Sequence, residues 1–472
     1  MGEIKLDDIC EAIVDCEHKT APLTAFGYPS VRTTNIKNGR IDWDNCNRVD
    51  QATYDAWTRR REPKPGDLIL AREAPVGEVG LIPEEHKAVL GQRTVLICPD
   101  RSKVDPRYLH FLLISPDVQA DMLGKATGST VEHLNMSDIR ALPLPELPPL
   151  PEQRSIARVL GGLDDKIELN RRMNRTLEDL ARGVFRSWFV DFDPVTKPSR
   201  GFAGNGHGRA PATPAGLFPK RLVDSPIGPI PEGWRVVSLR EAFDINPTRR
   251  IPAGQPAPYL DMQNMPTASA VPDEWITRAC GSGMKFQNGD TLMARITPCL
   301  ENGKTAFVNF LDDGQVGWGS TEYIVLRSKT PLTPEYSYFL ARDEDFRSFA
   351  IANMTGSSGR QRVPATAFDK YLVVVPDAKV AAAFGAFARD VLERVRMNSE
   401  ESRKLAATRD ALLPVLLSGE VRLRSSREED RAVRDAEAAV GDSLHAVGTP
   451  RRGDGSSHPR TGKVAGRARG KA

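Results

Sequence analysis

The sequence predicts an α+β protein in which two globular domains are separated by two long antiparallel coiled-coil helices, arranged as a pseudo-twofold internal repeat. Three observations predict this fold class. The chain has 472 residues, more than a single hydrophobic core usually serves. Two long segments carry heptad patterns of apolar residues, and short motifs recur in the same order in both halves. Two domains, each followed by a helix, account for all three observations.

The first domain is predicted over residues 1–148. Short apolar runs such as Leu68-Ile69-Leu70 and Val95-Leu96-Ile97 are separated by turn signals such as Lys37-Asn38-Gly39. This pattern is typical of a strand-rich mixed domain. The sequence PLPELPPLP at positions 143–151 ends the pattern, because proline lacks a backbone donor and restricts the residue before it.

A long helix is predicted over residues 149–192. Its apolar residues follow a heptad pattern at Ile156, Leu160, Leu163, Ile167, Leu177, Ala181, Val184 and Trp188. Two asparagines, Asn170 and Asn174, interrupt the stripe, and a buried asparagine fixes helix register at some cost in stability. At ~1.5 Å per residue the helix is about 60 Å long. A stripe this long and narrow favours a partner helix over a helix that folds back on its own domain.

The second half repeats this organisation after a flexible linker at 193–229, which is rich in Gly, Pro, Ala and Thr and unsuited to a core. A second domain is predicted over 230–376 and a second helix over 377–421. The seam of that helix contains Phe384, Val391, Asn398, Leu405 and Leu412. The remaining residues, 422–472, are predicted to be a disordered basic tail. A solvated segment is favoured over one that binds phosphate groups.

The internal repeat is visible as motifs at nearly constant spacing. The segment GDLILAR at 66–72 corresponds to GDTLMAR at 289–295, 223 positions later, and TGST at 127–130 corresponds to TGSS at 355–358, 228 positions later. At the same spacing of 228, Asn170 corresponds to Asn398. If the helices are antiparallel, these two asparagines meet near the midpoint and set the helix register by penalising slipped pairings.

Composition limits the functional classes. Lys+Arg number 65 and Asp+Glu 62, a formal net charge of +3, so any nucleic-acid binding depends on local basic surfaces. The six cysteines show none of the spacings of zinc sites, and we expect reduced thiols and no metal. The first residues lack a secretory signal, and no apolar run is long enough to span a bilayer. We therefore expect a cytoplasmic protein without a membrane partner.

Five motifs carry a resemblance to a known family. They are LPLP at 142–145, PEQRSIA at 151–157, LDDKIELN at 163–170, RDALLP at 409–414 and LSGEV at 417–421. With them, the chain resembles a specificity subunit of a type I restriction-modification system over about residues 1–424. One departure is the second junction, VPDAKV at 375–380, which lacks the Pro-Pro-Leu and Glu-Gln elements of the first. Either that half docks its partner less tightly, or its sequence has diverged without a change in docking.

The resemblance implies a noncatalytic subunit with two target-recognition domains, each reading one half of a split, asymmetric sequence in double-stranded DNA. The long helices would fix the unread spacer and dock two methyltransferase subunits that modify adenine at N6. Restriction/translocase subunits would complete the complex. S-adenosylmethionine, ATP and Mg²⁺ are then expected only on the partner subunits, and this chain is expected to bind no cofactor.

Catalytic alternatives find little support in the sequence. Neither an Asn-Pro-Pro-aromatic motif nor a GxGxxG loop is present, so methyl transfer by this chain is not expected. A standalone Mg²⁺-dependent endonuclease would use Asp67 with Glu85 and Lys87, a spacing that arises often by chance. Cys16 and His18 suggest a thiol and a base, but neighbours in sequence rarely meet in reacting geometry. A coiled-coil adaptor without DNA affinity is a third alternative.

Candidate DNA contacts fall in two equivalent loops and one further strip. Arg, Lys, Ser and Thr suit phosphates, and Arg, Asn and Gln suit base edges. In the first half the predicted residues are Lys125, Thr127, Ser129, Thr130 and His133, with the strip Arg32, Thr34, Asn35 and Lys37. In the second half they are Arg295, Ser357, Ser358, Arg360, Gln361 and Arg362. Recurrence of the loop in both halves favours a binding role over an ordinary turn.

Overall fold

The computed structural model describes residues 4–128, 132–197 and 216–423. The predicted contacts Ser129 and Thr130, much of the predicted linker and nearly all of the predicted basic tail lie outside the described residues.

The first half is a domain of short strands and helices. Its elements are β1 (Ile4–Lys5), β2 (Cys10–Asp15), β3 (Tyr28–Val31), β4 (Ile36–Lys37), β5 (Arg40–Ile41), β6 (Asn47–Val49), α1 (Gln51–Trp57), β7 (Leu68–Arg72), β8 (Val76–Leu81), β9 (Val89–Leu90), β10 (Thr94–Pro99), α2 (Pro106–Leu113), α3 (Pro116–Lys125), α4 (Met136–Arg140) and β11 (Pro143–Leu144). Single turns of 3-10 helix cover Leu6–Ile9 and Thr33–Asn35. The long helix α5 (Leu150–Phe189) follows directly.

The second half begins after the short helix α6 (Asp193–Thr196). Its elements are β12 (Leu222–Val223), β13 (Ile230–Pro231), β14 (Arg235–Ser238), α7 (Leu239–Ala242), β15 (Phe243–Ile245), β16 (Pro256–Leu260), β17 (Ile276–Ala279), β18 (Met284–Phe286), β19 (Thr291–Ala294), β20 (Thr305–Phe307), β21 (Gly317–Gly319), β22 (Tyr323–Ser328), α8 (Pro334–Arg342), α9 (Glu344–Ala352), a 3-10 helix (Ala365–Lys370), β23 (Leu372–Val375) and α10 (Ala378–Leu417).

The two domains share one strand order. The central sheet of the first is β2-β10-β7-β8, and that of the second is β15-β22-β19-β20. A smaller sheet, β6-β3-β9 in one domain and β17-β16-β21-β18 in the other, contains one parallel pair in each. Strands next to the long helices pair as β1-β11 and β14-β23. This correspondence confirms the predicted pseudo-twofold repeat.

Side chains of each central strand alternate between two cores, as expected for a period of two. In β7, Leu68 and Leu70 pack with residues of α2 and α3, such as Phe111 and Met122. Ile69 faces the other way, toward the smaller sheet and Val31. The central sheet is therefore covered by helices on one face and by the smaller sheet on the other.

The turn before each central strand is also repeated in detail. Gly66 and Gly289 adopt φ values of 88° and 87°, a left-handed conformation in which glycine is favoured. The next residue, Asp67 or Asp290, accepts a hydrogen bond at 2.9 Å from the backbone N–H three residues earlier, that of Lys64 or Gln287. The Gly-Asp motif in both halves thus has a local structural cause.

Helices α5 and α10 lie antiparallel, and each end of the pair carries one domain. Leu160 near the start of α5 shares a core with Leu413 near the end of α10 and with the first domain. Phe185 near the end of α5 packs on Phe384 near the start of α10, with ring centroids 5.7 Å apart, inside the core of the second domain. Two domains at opposite ends of an antiparallel helical pair confirm the predicted fold class.

Candidate nucleic-acid interface

The middle of the helical pair contains a buried amide cluster. The Nδ2 of Asn398 donates to Oδ1 of Asn174 at 2.8 Å, and the Nδ2 of Asn170 donates to the carbonyl oxygen of Asn398 at 3.3 Å and to Glu401 at 2.8 Å. All three asparagines are buried. The structure therefore brings Asn170 and Asn398 into direct contact, and Asn174 forms a second contact with Asn398. Their role in setting the helix register stays a prediction.

A half-buried ion-pair triad joins the first domain to both helices. The Oδ1 of Asp164 on α5 accepts from Arg40 of the first domain at 2.8 Å and from Arg409 of α10 at 2.7 Å. Burial alone would raise the pKa of Asp164, but the charges of Arg40 and Arg409 outweigh it, so that the pKa is lowered. Two of the motifs that carry the family resemblance, LDDKIELN and RDALLP, thus meet at one carboxylate.

The Glu-Gln step of the first junction is explained by Gln153. This side chain is 1% exposed; its Oε1 accepts from the backbone N–H of Asp105, and its Nε2 donates to the carbonyl oxygen of Pro148, at 2.9 and 2.8 Å. It therefore connects the start of α5 to the loop before α2. The residue 228 positions later is Ala381, which is buried and apolar. At this position the second junction consequently has apolar packing by Ala381, where the first junction has the hydrogen bonds of Gln153.

The two domains dock on their helices through ion pairs of opposite polarity. In the first half, Arg107 of α2 pairs with Asp165 of α5 and donates to the carbonyl oxygen of Gly161 at 2.9 Å. In the second half, the residue 228 positions after Arg107 is Glu335, which accepts from Arg389 of α10 at 3.0 Å. The same place in the repeat is thus filled by a cation on one domain and by an anion on the other.

The two predicted DNA-contact loops occupy equivalent places. In the first domain, Thr127 and His133 pair their backbones at 3.0 and 2.9 Å, and Leu134 donates its N–H to the carbonyl oxygen of Arg72 at the end of β7. We call Arg72 with Thr127, Gly128, Glu132 and His133 the first loop edge. Of the predicted residues it contains the half-buried His133 and the exposed Thr127, and the half-buried Lys125 comes two residues before it.

The second loop edge comprises Arg295, which follows β19, and residues 355–362. Thr355 and Arg362 pair their backbones at 2.9 and 2.8 Å, and Val363 donates its N–H to the carbonyl oxygen of Arg295. Its predicted contacts Ser357, Ser358 and Arg360 are exposed, whereas Arg295, Gln361 and Arg362 are half-buried. The structure thus brings all the predicted contacts of the second half together at one edge.

The strip in the first domain forms the turn between β3 and β4. Arg32, Thr34 and Lys37 are exposed. Asn35 is buried; its Oδ1 accepts from the N–H of Arg32, and its Nδ2 donates to the carbonyl oxygen of Asn45, both at 3.0 Å. The Asn35 amide is therefore used within the domain, and the other three residues present their side chains to solvent.

Sequence reasoning missed Arg72. The signal was available, because Arg72 ends GDLILAR as Arg295 ends GDTLMAR. In the structure its guanidinium donates to Oδ2 of Asp15 at 2.8 Å, and the same oxygen lies 2.8 Å from Nε2 of His18. The positive charge of Arg72 is thus neutralised by Asp15 at the end of β2.

Cys16 and His18 do meet, contrary to the expectation for close neighbours in sequence. The Sγ of Cys16 lies 3.9 Å from Nδ1 of His18. Within the part of the chain that the structure describes, Asp15, Cys16 and His18 form the group whose ligand atoms, all within 4.8 Å, have the spacing of a metal site. The ion pair of Asp15 with Arg72 competes with any cation there.

The acidic residues of the alternative nuclease site have local structural partners. Asp67 is buried and caps the turn described above, and burial raises its pKa. Its counterpart Asp290 caps the equivalent turn and pairs with Arg249 and Arg327, both at 2.7 Å. Glu85 pairs with Arg172 of α5 at 3.3 Å. Asp67 thus has the same turn-capping role as Asp290.

Sequence comparison relates the chain to known proteins. Residues 1–179 match the family described as the type I restriction modification DNA specificity domain. The chain is 24% identical over 460 residues to the HindI specificity subunit of Haemophilus influenzae, covering 84% of this chain and 95% of that protein. It is 21% identical over 365 residues to the MjaIX specificity subunit of Methanocaldococcus jannaschii, covering 76% and 78%.

A solved structure, the type I system S subunit from M. genitalium, aligns with 90% of this chain and 96% of its own, with 13% identity and a TM-score of 0.49. The family match over residues 1–179 and the similarity to these relatives support the resemblance to specificity subunits of type I restriction-modification systems that the motifs carry. They also agree with the prediction of a noncatalytic subunit. Among the described residues, no helix is both long and apolar enough to cross a bilayer.

Proposed function

We propose that this chain gives a type I complex its DNA specificity by reading a bipartite, asymmetric target in double-stranded DNA. The first domain reads one half-site and the second domain reads the other. The observation that carries this proposal is the placement of two domains with one strand order at opposite ends of a single helical pair. Each domain presents an equivalent loop edge, so one chain offers two readers at a fixed separation.

The unlike composition of the loop edges supports an asymmetric target. The second edge carries exposed Arg360 with Ser357 and Ser358, whereas the first carries His133 where the second has Arg362. The first loop is also one residue shorter between its paired ends, Thr127 with His133 against Thr355 with Arg362. Because base recognition depends on donor and acceptor patterns, unlike loops read unlike sequences.

The helical pair supports a fixed, unread spacer between the half-sites. Each helix has 40 residues, about 60 Å at ~1.5 Å per residue. The buried amide cluster and the Asp164 triad oppose sliding of one helix along the other, since a slip would leave buried polar groups without partners. The spacing of the two readers is thereby held constant.

Partner assembly is the remaining part of the proposal. The long helices dock two methyltransferase subunits, and restriction/translocase subunits complete the complex. In this arrangement S-adenosylmethionine, ATP and Mg²⁺ are bound by the partners, and this chain supplies binding and geometry.

The test is to express the chain with its methyltransferase in cells and to map N6-methyladenine across the genome. We expect one motif of two unlike halves with a constant spacer. A matched variant in which residues 355–362 are replaced by a Gly-Ser loop of equal length should lose specificity in one half only. A contiguous motif, or no methylation with a methyltransferase that is active beside another specificity subunit, would contradict the proposal.

Two further measurements separate the alternatives. Mg²⁺-dependent cutting of DNA by the purified chain, lost in Asp67→Ala, would favour the endonuclease. The absence of salt-dependent DNA binding in a titration would favour the adaptor, because phosphate contacts make DNA affinity fall with salt.

A further inference from the structure

The inference concerns how the two loop edges differ in charge, and it rests on the proposed DNA-reading function. Arg72 and Arg295 occupy the same place in the repeat. Each donates its backbone N–H at 3.0 Å to the residue just before the neighbouring strand, Arg93 or Glu322. Each also accepts at 2.9 Å from the residue that follows the loop, Leu134 or Val363. The backbones of the two positions are therefore matched.

The side chains at these matched positions differ in whether the guanidinium has an ion-pair partner. Arg72 is held by Asp15 at 2.8 Å. The carboxylate of Glu322, the residue whose carbonyl oxygen accepts from the Arg295 backbone, is already occupied: both its oxygens accept from Nε of Arg362, at 2.9 and 3.0 Å. The side chain of Arg295 forms no hydrogen bond or ion pair with any residue that the structure describes, and its Nε is buried.

A half-buried guanidinium without a counterion is costly, because its donors lose water and gain no acceptor. Such a cost is recovered when a ligand supplies the acceptors. Arg295 lies just after a central strand, and its carbonyl oxygen accepts from Val363 at the end of the loop with the exposed predicted contacts, so DNA held by that loop would pass close to it. A guanidinium forms two parallel hydrogen bonds either to O6 and N7 of guanine or to phosphate oxygens.

We propose that Arg295 is a specificity-determining residue that reads one guanine in the half-site of the second domain, and that Arg72, held by Asp15, has no such role in the first. Guanine is favoured over phosphate because Arg295 is recessed: its Nε is buried, while Arg360 and Ser358 on the loop are exposed. Exposed loop residues suit the outlying backbone, and a recessed fork suits a base edge.

The test uses the complex of the full chain with its methyltransferase and DNA duplexes that carry each base pair at each position of both half-sites. The wild-type complex should prefer guanine at one position of the second half-site. Arg295→Ala should lower that preference roughly tenfold or more and leave the first half-site unchanged. Arg295→Lys should relax the same position, because lysine keeps the charge but lacks the fork.

The matched control is Arg72→Ala, which should change no guanine preference in the first half-site. A uniform loss of affinity in Arg295→Ala that Arg295→Lys restores would identify a phosphate contact and overturn the inference. So would unchanged preferences in both Arg295 variants, or equal relaxation in Arg72→Ala. A wild-type complex without any sequence preference would overturn the proposed function itself, which distinguishes the two failures. Unfolding curves of each variant identify misfolded protein. Of the variants, Arg295→Lys should disturb folding least.

Discussion

The Asp164 triad gives a prediction whose size follows from burial. The change is Asp164→Asn, which keeps the side-chain shape and removes the charge that Arg40 and Arg409 share. The matched control is the adjacent Asp165→Asn, whose ion pair with Arg107 lies at the surface. The side chain of Asp164 is 13% exposed and that of Asp165 is 67% exposed, so solvent screens the control pair far more.

The expected loss follows from two hydrogen bonds to one charged acceptor. Each such bond contributes about 1.5 to 3 kcal/mol. Both arginines have second partners, Glu168 at 3.6 Å from Arg40 and Asp410 at 2.7 Å from Arg409, which offset part of the loss. We therefore expect Asp164→Asn to lower the free energy of unfolding by about 2 to 3 kcal/mol. For Asp165→Asn we expect at most about 0.5 kcal/mol.

The assay is urea unfolding of the purified chain at pH 7 and at a series of lower pH values. The folded-state pKa of Asp164 lies below its usual value, so its stabilisation is present above the unfolded pKa of about 4 and is lost as pH falls through the folded pKa. The gap between wild type and Asp164→Asn should thus stay constant from pH 7 to 5 and shrink below about pH 4. Equal losses in Asp164→Asn and Asp165→Asn, or a gap independent of pH, would refute the reasoning.

Three more predictions concern other contacts. Glu178 is buried, accepts from Ala270 N–H at 2.9 Å and from Tyr338 Oη at 2.5 Å, and has its pKa raised by burial. A raised carboxyl pKa makes stability fall as pH rises above the unfolded glutamate value of about 4. Glu178→Gln should therefore gain stability relative to wild type as pH rises from there in thermal unfolding, and a difference that does not change with pH would contradict this. Gln153→Ala should lower the free energy of unfolding, measured with urea, by about 1 to 3 kcal/mol. The control is the exposed neighbour Arg154→Ala, and a smaller loss in Gln153→Ala than in that control would show that the junction does not depend on Gln153. Arg360→Ala should weaken binding to the second half-site roughly fivefold or more in a gel shift at fixed salt, and unchanged affinity would remove Arg360 from the interface.

Much of the architecture was predictable because it repeats. The motifs at spacings of 223 and 228 fixed the order of the two halves, and the heptads predicted the long helices. Register within the seam was harder: Leu412 was predicted inside, but Leu413 and Leu416 are the buried residues and Leu412 is half-buried. The heptad pattern alone does not say which side of a helix end meets the domain packed against it.

The site was less predictable than the fold for a physical reason. Gln153, Asp164 and Glu178 act through partners about 50 to 250 positions away, and no local pattern specifies such pairs. Arg360 and Ser357 were found because loop composition recurs in both halves. Arg72 was missed because its neutralisation by Asp15 depends on how β2 lies beside β10 and β7. Their roles in DNA contact stay predictions.

The opposite polarity of the two docking ion pairs bears on how new specificities can arise by gene exchange. A domain moved from the first position to the second would bring Arg107 toward Arg389 but also toward Glu393, which lies 228 positions after Asp165. The reverse move would bring Glu335 toward the like charge of Asp165. The docking ion pairs therefore oppose one exchange of domains more than the other, and moving a segment of the helix together with its domain would keep each original pair.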